Sequence, residues 1–209
     1  MSIDRATELL ALRTTARLPR GSWARLEAAR ADDADVRVRS AALTVIAERG
    51  DRTRATQALL ASATDAAPAI RRRVGELAIV RPAGALAPAL CALLRDPDTT
   101  VVETAAAALG ECPLTRETRS SVLDVLIDAA TNNEEQLVRE AAVAALGSIG
   151  DARGLPAILA GCSDKPAIRR RAVLALAPFD GPEVDAAVER ALGDRDWQTR
   201  QAAELLRDG

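Results

Sequence analysis

Six times in 209 residues the chain repeats one phrase: an apolar residue, usually followed by arginine, then mostly small residues three and four positions on. The phrase begins at Val38, Ile70, Val102, Val138, Ile168 and Thr199, the last copy placing threonine at the apolar position, at intervals of 32, 32, 36, 30 and 31 residues. A period near thirty residues demands a stack of like units, because one such unit cannot bury its apolar face without neighbours. Within each copy the residues three, four and seven positions on share one helical face: Ala41, Ala42 and Val45; Arg73, Val74 and Leu77; Ala105, Ala106 and Leu109; Ala141, Ala142 and Ala145; Arg171, Ala172 and Ala175; Ala202, Ala203 and Leu206. Small residues on that face let neighbouring helices come close.

Each copy is preceded by a second helical pattern across an acidic break. The breaks are Asp32-Asp33-Ala34-Asp35, Asp65-Ala66-Ala67-Pro68, Asp96-Pro97-Asp98, Asn132-Asn133-Glu134-Glu135, Asp164-Lys165-Pro166 and Asp194-Arg195-Asp196. Carboxylates there suit the positive end of the following helix. Between units, Gly50-Asp51 and Gly147-Ser148-Ile149-Gly150-Asp151 supply a glycine stop and an aspartate start, while Pro82, Pro113 and Pro178 to Pro182 end helices sterically. The patterns predict paired helices at 22–31 and 36–49, 52–63 and 68–80, 83–95 and 99–111, 115–131 and 135–148, 152–161 and 166–177, and 182–192 and 196–207. An amphipathic helix over 3–17, with Ile3, Ala6, Leu9 and Leu10 on one side, is expected to cap the first pair. The expected organisation is one all-α domain over 1–209, with the cap at 1–20 and repeats near 21–50, 51–81, 82–112, 113–150, 151–179 and 180–209.

The run Val138 to Asp151, Val-Arg-Glu-Ala-Ala-Val-Ala-Ala-Leu-Gly-Ser-Ile-Gly-Asp, resembles the short HEAT-like repeats of the phycobilin-lyase type, a bacterial-type family. The resemblance covers essentially the whole chain and implies a right-handed α-α superhelix of about six helix pairs. It also implies a buried ladder in which loop aspartates meet the arginine after the apolar start, so that Asp65, Asp164 and Asp194 meet Arg71, Arg169 and Arg200. Glu103 stands where that arginine belongs and interrupts the ladder.

Composition closes several functional classes. The chain has no histidine, which removes imidazole-based hydrolysis and the zinc and iron sites built on histidine. Deoxyhypusine hydroxylase, a relative through the same repeats, is excluded as an example because its iron site needs His-Glu pairs. Three widely spaced cysteines, Cys91, Cys112 and Cys162, fit free thiols in a reducing compartment. Neither a metal nor an organic cofactor is expected, and no catalytic residue is assigned. No apolar run is long enough for a membrane span and the N-terminus lacks the apolar core of a signal peptide, so a cytoplasmic protein without membrane insertion is expected.

Two repeats depart from the pattern alike: Arg71-Arg72-Arg73 and Arg169-Arg170-Arg171 place arginine three positions on, where the other four have alanine. Unpaired arginine is costly in a packed layer, so Arg73 and Arg171 must find carboxylates or emerge at a groove edge. The residues two positions after each start, Ser40, Arg72, Thr104, Glu140, Arg170 and Gln201, are opposite the buried stripe and form a row on the expected concave side. With Arg73 and Arg171 they make up the candidate binding face. Residues 1–81 carry 15 arginines against 10 acids, and 82–209 carry 13 basic residues against 20 acids, so the stack is a charge dipole of net −2.

These features favour a non-catalytic scaffold or adaptor that grips a protein partner with its concave face. Nucleic acid is expected to bind weakly at best, since the net charge is slightly acidic and one residue in a hundred is aromatic, too few for base stacking. An enzyme of the lyase type follows from resemblance alone, with Cys112 or Cys162 and a carboxylate as its only available chemistry.

Overall fold

The computed structural model describes residues 4–208, and among them there is no strand. Helix α1 (Arg5–Ala11) is followed by six pairs: α2 (Ser22–Asp32) with α3 (Val36–Arg49), α4 (Arg52–Ser62) with α5 (Pro68–Val80), and α6 (Ala87–Leu93) with α7 (Thr99–Glu111). The remaining pairs are α8 (Arg116–Asn132) with α9 (Gln136–Ile149), α10 (Leu155–Gly161) with α11 (Pro166–Ala175), and α12 (Pro182–Leu192) with α13 (Trp197–Asp208). They stack in chain order into a right-handed α-α superhelix. The expected helices at 83–95 and 152–161 are shorter than predicted. Single 3-10 turns, Gly84–Leu86 and Ala152–Gly154, occupy their beginnings, because Pro88 and Pro156 lack the N–H that a helix starting earlier would require.

Helix α1 is a correction in length. It ends at Ala11, where the predicted helix ran to residue 17, and the hydroxyls of Thr14 and Thr15 turn back to the carbonyls of Ala11 and Leu12. Ala6 and Leu9 are buried against α3, Leu10 is partly in solvent, and Ile3 lies outside the described residues. The stop signals act as expected. Asp51 accepts from the N–H of Arg54 at 2.8 Å, Asp151 from that of Arg153 at 3.1 Å, and Gly150 takes the left-handed conformation (φ 64°) that ends α9.

The second helix of each pair packs on the second helices before and after it, whereas first helices touch one another sparsely. The tighter layer lies on the inside of the curve, so α3, α5, α7, α9, α11 and α13 form the inner face. Close approach is built in: a Cβ on Gly110 would sit 2.9 Å from the Cα of Ala145, and one on Gly147 would sit 2.6 Å from the Cβ of Ala175. Most buried apolar residues from Ala6 to Ala187 form one connected cluster; Val173, Ala191, Ala202 and Ala203 form a smaller one at the last pair.

The ladder exists with a different register from the one the resemblance implied. Each loop aspartate offers its carboxylate to the arginine of the preceding repeat. Arg39 holds Asp65 (3.0 and 2.9 Å), Arg71 holds Asp96 (2.6 and 2.9 Å), Arg139 holds Asp164 (2.9 and 3.1 Å) and Arg169 holds Asp194 (2.8 and 2.7 Å). The third guanidinium nitrogen donates to a backbone carbonyl of the arginine's own loop. Thus Arg71 reaches the carbonyl of Asp65, Arg169 that of Asp164 and Arg200 that of Asp194. The predicted pairs therefore meet through backbone, and the carboxylates clamp consecutive repeats. At the first repeat, Arg5 of the capping helix takes the missing arginine's place on Asp33.

Candidate functional site on the inner face

Between the third and fourth repeats both ladder members change together. Glu103 replaces the arginine and Asn133 replaces the aspartate. The aspartate does two jobs elsewhere: it clamps arginine, and one oxygen accepts a loop N–H, that of Lys165 for Asp164 and that of the residue two on for the others, as Asp96 accepts from Asp98 at 2.9 Å. Asn133 keeps the second job, accepting from the N–H of Glu135 at 2.9 Å, and gives up the charge. The turn is thereby preserved without a clamp. The junction is held instead by packing of α7 on α9 through Gly110 and Ala145.

At that junction the inner face carries a depression of about 510 Å³. Its floor is Ala107, Ala141, Ala144 and Ala145; its walls are Ile79 from α5 and Leu137 at the start of α9; and Glu103, Glu111, Glu140 and Arg171 stand around it. Glu103, Ala107 and Glu111 are spaced by four and so share one side of α7, as Glu140, Ala144 and Ser148 share one side of α9.

The candidate residues divide into groups. Thr104, Glu140 and Arg171 line this depression, with the Thr104 hydroxyl donating to carbonyls of its own helix, Thr100 and Val101. Ser40, Arg72 and Arg73 gather around Glu76: Arg73 reaches it at 2.7 Å and donates to the Ser40 hydroxyl at 3.3 Å, and Arg72 reaches Glu76 at 3.2 Å. Arg170 donates to Gln198 at 3.0 Å and lies 3.6 Å from Glu140, and Gln201 is exposed on α13. Arg171 lies 3.7 Å from Glu140, too far for a hydrogen bond, so its Nε is a buried donor without a partner. The arginines three positions on are thus matched by Glu76 and Glu140 rather than by loop aspartates. Ile79, Glu103, Glu111 and Leu137 escape a reading by the plus-two row; only Glu103 signalled itself, as the break in the ladder.

Charge on the clamps is strongly held. Hydrogen bonds from Arg71, Arg139 and Arg169 keep Asp96, Asp164 and Asp194 below the usual carboxylate value against the opposing effect of burial. Burial pushes the Cys112 and Cys162 thiols up to about 11, so neither is a thiolate near neutrality. Among the described residues no helix is long and apolar enough to cross a membrane.

The sequence matches the profile of HEAT repeats over residues 86–177 and again over 123–207. No curated protein matches it by sequence. Among solved structures it is similar to YibA of Escherichia coli, with a TM-score of 0.72, 18% identity, and 98% of this chain and 76% of that one covered. It is also similar to the complex of CpcE and CpcF of phycocyanin lyase from Nostoc sp. PCC7120, with a TM-score of 0.58, 19% identity, and 74% and 99% covered. A designed armadillo repeat protein in complex with the peptide (KR)4 aligns with a TM-score of 0.59, 14% identity, and 98% and 99% covered.

Proposed function

This chain belongs to the HEAT-repeat family, and on that premise we propose that it is a non-catalytic adaptor whose inner face takes up a segment or surface of a partner protein. The observation that carries this reading is the exposure of large apolar side chains along that face. Ile79 and Leu137 stand in solvent at the central depression, and Leu174 and Leu205 occupy on α11 and α13 the register that Ala144 occupies on α9. The exposed part of such side chains gains nothing from the fold, and a row of them on a concave repeat surface suits partner contact. A designed protein of the same fold is known in complex with a peptide, which supports segment recognition as a use this architecture admits. A lyase is the less supported reading, because its chemistry would fall to thiols held protonated. A nucleic-acid ligand is disfavoured by the three glutamates at the centre of the face.

The reading includes Arg72, Arg73, Arg170 and Arg171 as flanking contacts, with Ser40, Thr104 and Gln201 completing the row. A photo-crosslinking residue at Ala144 or Leu174, compared with one at Gln57 on the outer helix α4, tests it in an extract of the native host. Crosslinks to one protein from the inner positions and none from Gln57 are expected. Crosslinks from Gln57 alone would overturn the assignment of the face. Arg72→Glu with Arg170→Glu is expected to weaken capture of that protein at least tenfold, with the helical circular dichroism unchanged.

A further inference from the structure

We infer that the central depression takes up a partner segment in which arginine or lysine stands beside a large apolar side chain. This rests on the adaptor reading and gives it a chemistry. Three observations converge at one place. First, among the described residues Glu103 and Glu111 lie on one side of α7 without a salt bridge or side-chain hydrogen bond to balance them, whereas the four clamping arginines and both arginine triplets are matched by carboxylates or amides. Glu103 stands where the five other repeats place a cation, so at this junction a guanidinium is absent and a carboxylate is present. Second, Ile79 and Leu137 flank an alanine floor, and that floor leaves room for an apolar side chain because no larger residue fills it. Third, Arg171 stands at the rim with its side chain partly exposed and only a loose pairing to Glu140 at 3.7 Å, so the open end of its guanidinium can donate to a backbone carbonyl of a bound segment.

A cationic group on the segment would sit between Glu103 and Glu111 as a charge-assisted pair in a partly desolvated groove. The neighbouring apolar side chain would cover the alanine floor between Ile79 and Leu137. Glu140 is already shared by Arg170 and Arg171 and serves to hold Arg171 at the rim. An acidic segment meets the opposite situation, since every arginine near the groove already has a carboxylate within 4 Å while Glu103 and Glu111 repel it.

The test is selection of a displayed random twelve-residue peptide library on the full chain, followed by anisotropy titration of the best labelled peptide. The expected consensus has Arg or Lys next to Leu, Ile, Val or Phe and few acids. Glu103→Gln with Glu111→Gln, which keeps side-chain shape and breaks no internal pair, should weaken that peptide at least tenfold, and Leu137→Ser should do so separately. Raising the salt should weaken it on the native chain and far less on the double variant. An acidic consensus whose binding is lost with Arg72→Glu and Arg170→Glu would overturn this inference and leave the adaptor reading intact. Peptides unaffected by any inner-face substitution would overturn both. A selection that yields no binder counts against the inference alone, since capture of a folded partner is decided by the crosslinking experiment.

Discussion

The ladder arginine is the residue whose sequence context says most about its role, because one side chain joins two repeats. Its fork holds the next repeat's aspartate and its third nitrogen closes its own loop, so its removal leaves both a carboxylate and a carbonyl short of a donor. Arg71→Ala is expected to destabilise the protein by about 2–3 kcal/mol, less than a fully buried pair because part of the guanidinium stays in water. The exposed pair of Arg119 with Asp151, at 3.8 Å, should give less than about 0.5 kcal/mol on the same truncation. Urea unfolding of both variants checks the contrast. The clamped carboxylates also set a pH dependence. Asp96, Asp164 and Asp194 have folded pKa values below their unfolded ones, so their stabilisation is complete above the unfolded value of about 4 and is lost as pH falls through the folded values. Stability should therefore drop as pH is lowered below about 4, and Asp96→Asn should flatten that drop, as followed by thermal melts across the acid range. The missing rung offers a constructive test: Glu103→Arg with Asn133→Asp should show a favourable coupling of about 1–2 kcal/mol in a double-mutant cycle.

At the scale of the helix, the inner layer is organised by what is absent from its surface. A glycine inside a helix ordinarily costs about 1 kcal/mol relative to alanine, so replacing it should help. Gly147 reverses that sign, since a Cβ there would press on the Cα and Cβ of Ala175 at 2.7 and 2.6 Å, and backbone has no rotamer by which to yield. Gly147→Ala is expected to destabilise by about 1–3 kcal/mol through overpacking, with an unchanged helical signal in circular dichroism. The same requirement explains the low aromatic content. Trp23 lies on an outer helix beneath the Arg54 guanidinium, 4.7 Å from its ring centre, and Trp197 is exposed at the start of α13, so neither occupies the inner contact layer.

For the molecule as a whole, stability should spread from repeat to neighbouring repeat, because each pair contacts chiefly the pairs beside it. Leu9 is fully buried where α1 covers α3, and Arg5 completes the first rung. Leu9→Ala should cost about 2–4 kcal/mol locally. Hydrogen exchange should accelerate most in α3 and fade toward α11; uniform acceleration along the chain would show that the stack unfolds as one unit. Small-angle scattering should report an elongated particle, with six pairs stacked at roughly the 8–10 Å spacing of packed helices.

Much of this was legible from the sequence because local rules generated it. The period, the small-residue stripe, the aspartate caps at 51 and 151 and the glycine stop at 150 depend on residues within a turn or two of one another, and the helices over 36–49, 68–80, 99–111 and 182–192 have the bounds that spacing predicted. The family followed from the same local phrase. What tertiary structure alone decided is which repeat each charge serves. An aspartate and an arginine six residues apart in one loop look like partners on paper. Stacking instead brings each carboxylate to the arginine 25 or 26 residues before it, because the loop's own carbonyl already fills the near side of the guanidinium. The central groove was hidden for the same reason. Ile79, Glu103, Glu111 and Leu137 belong to three helices in three repeats, and only the curvature set by alanine and glycine contacts in the inner layer brings them around one depression.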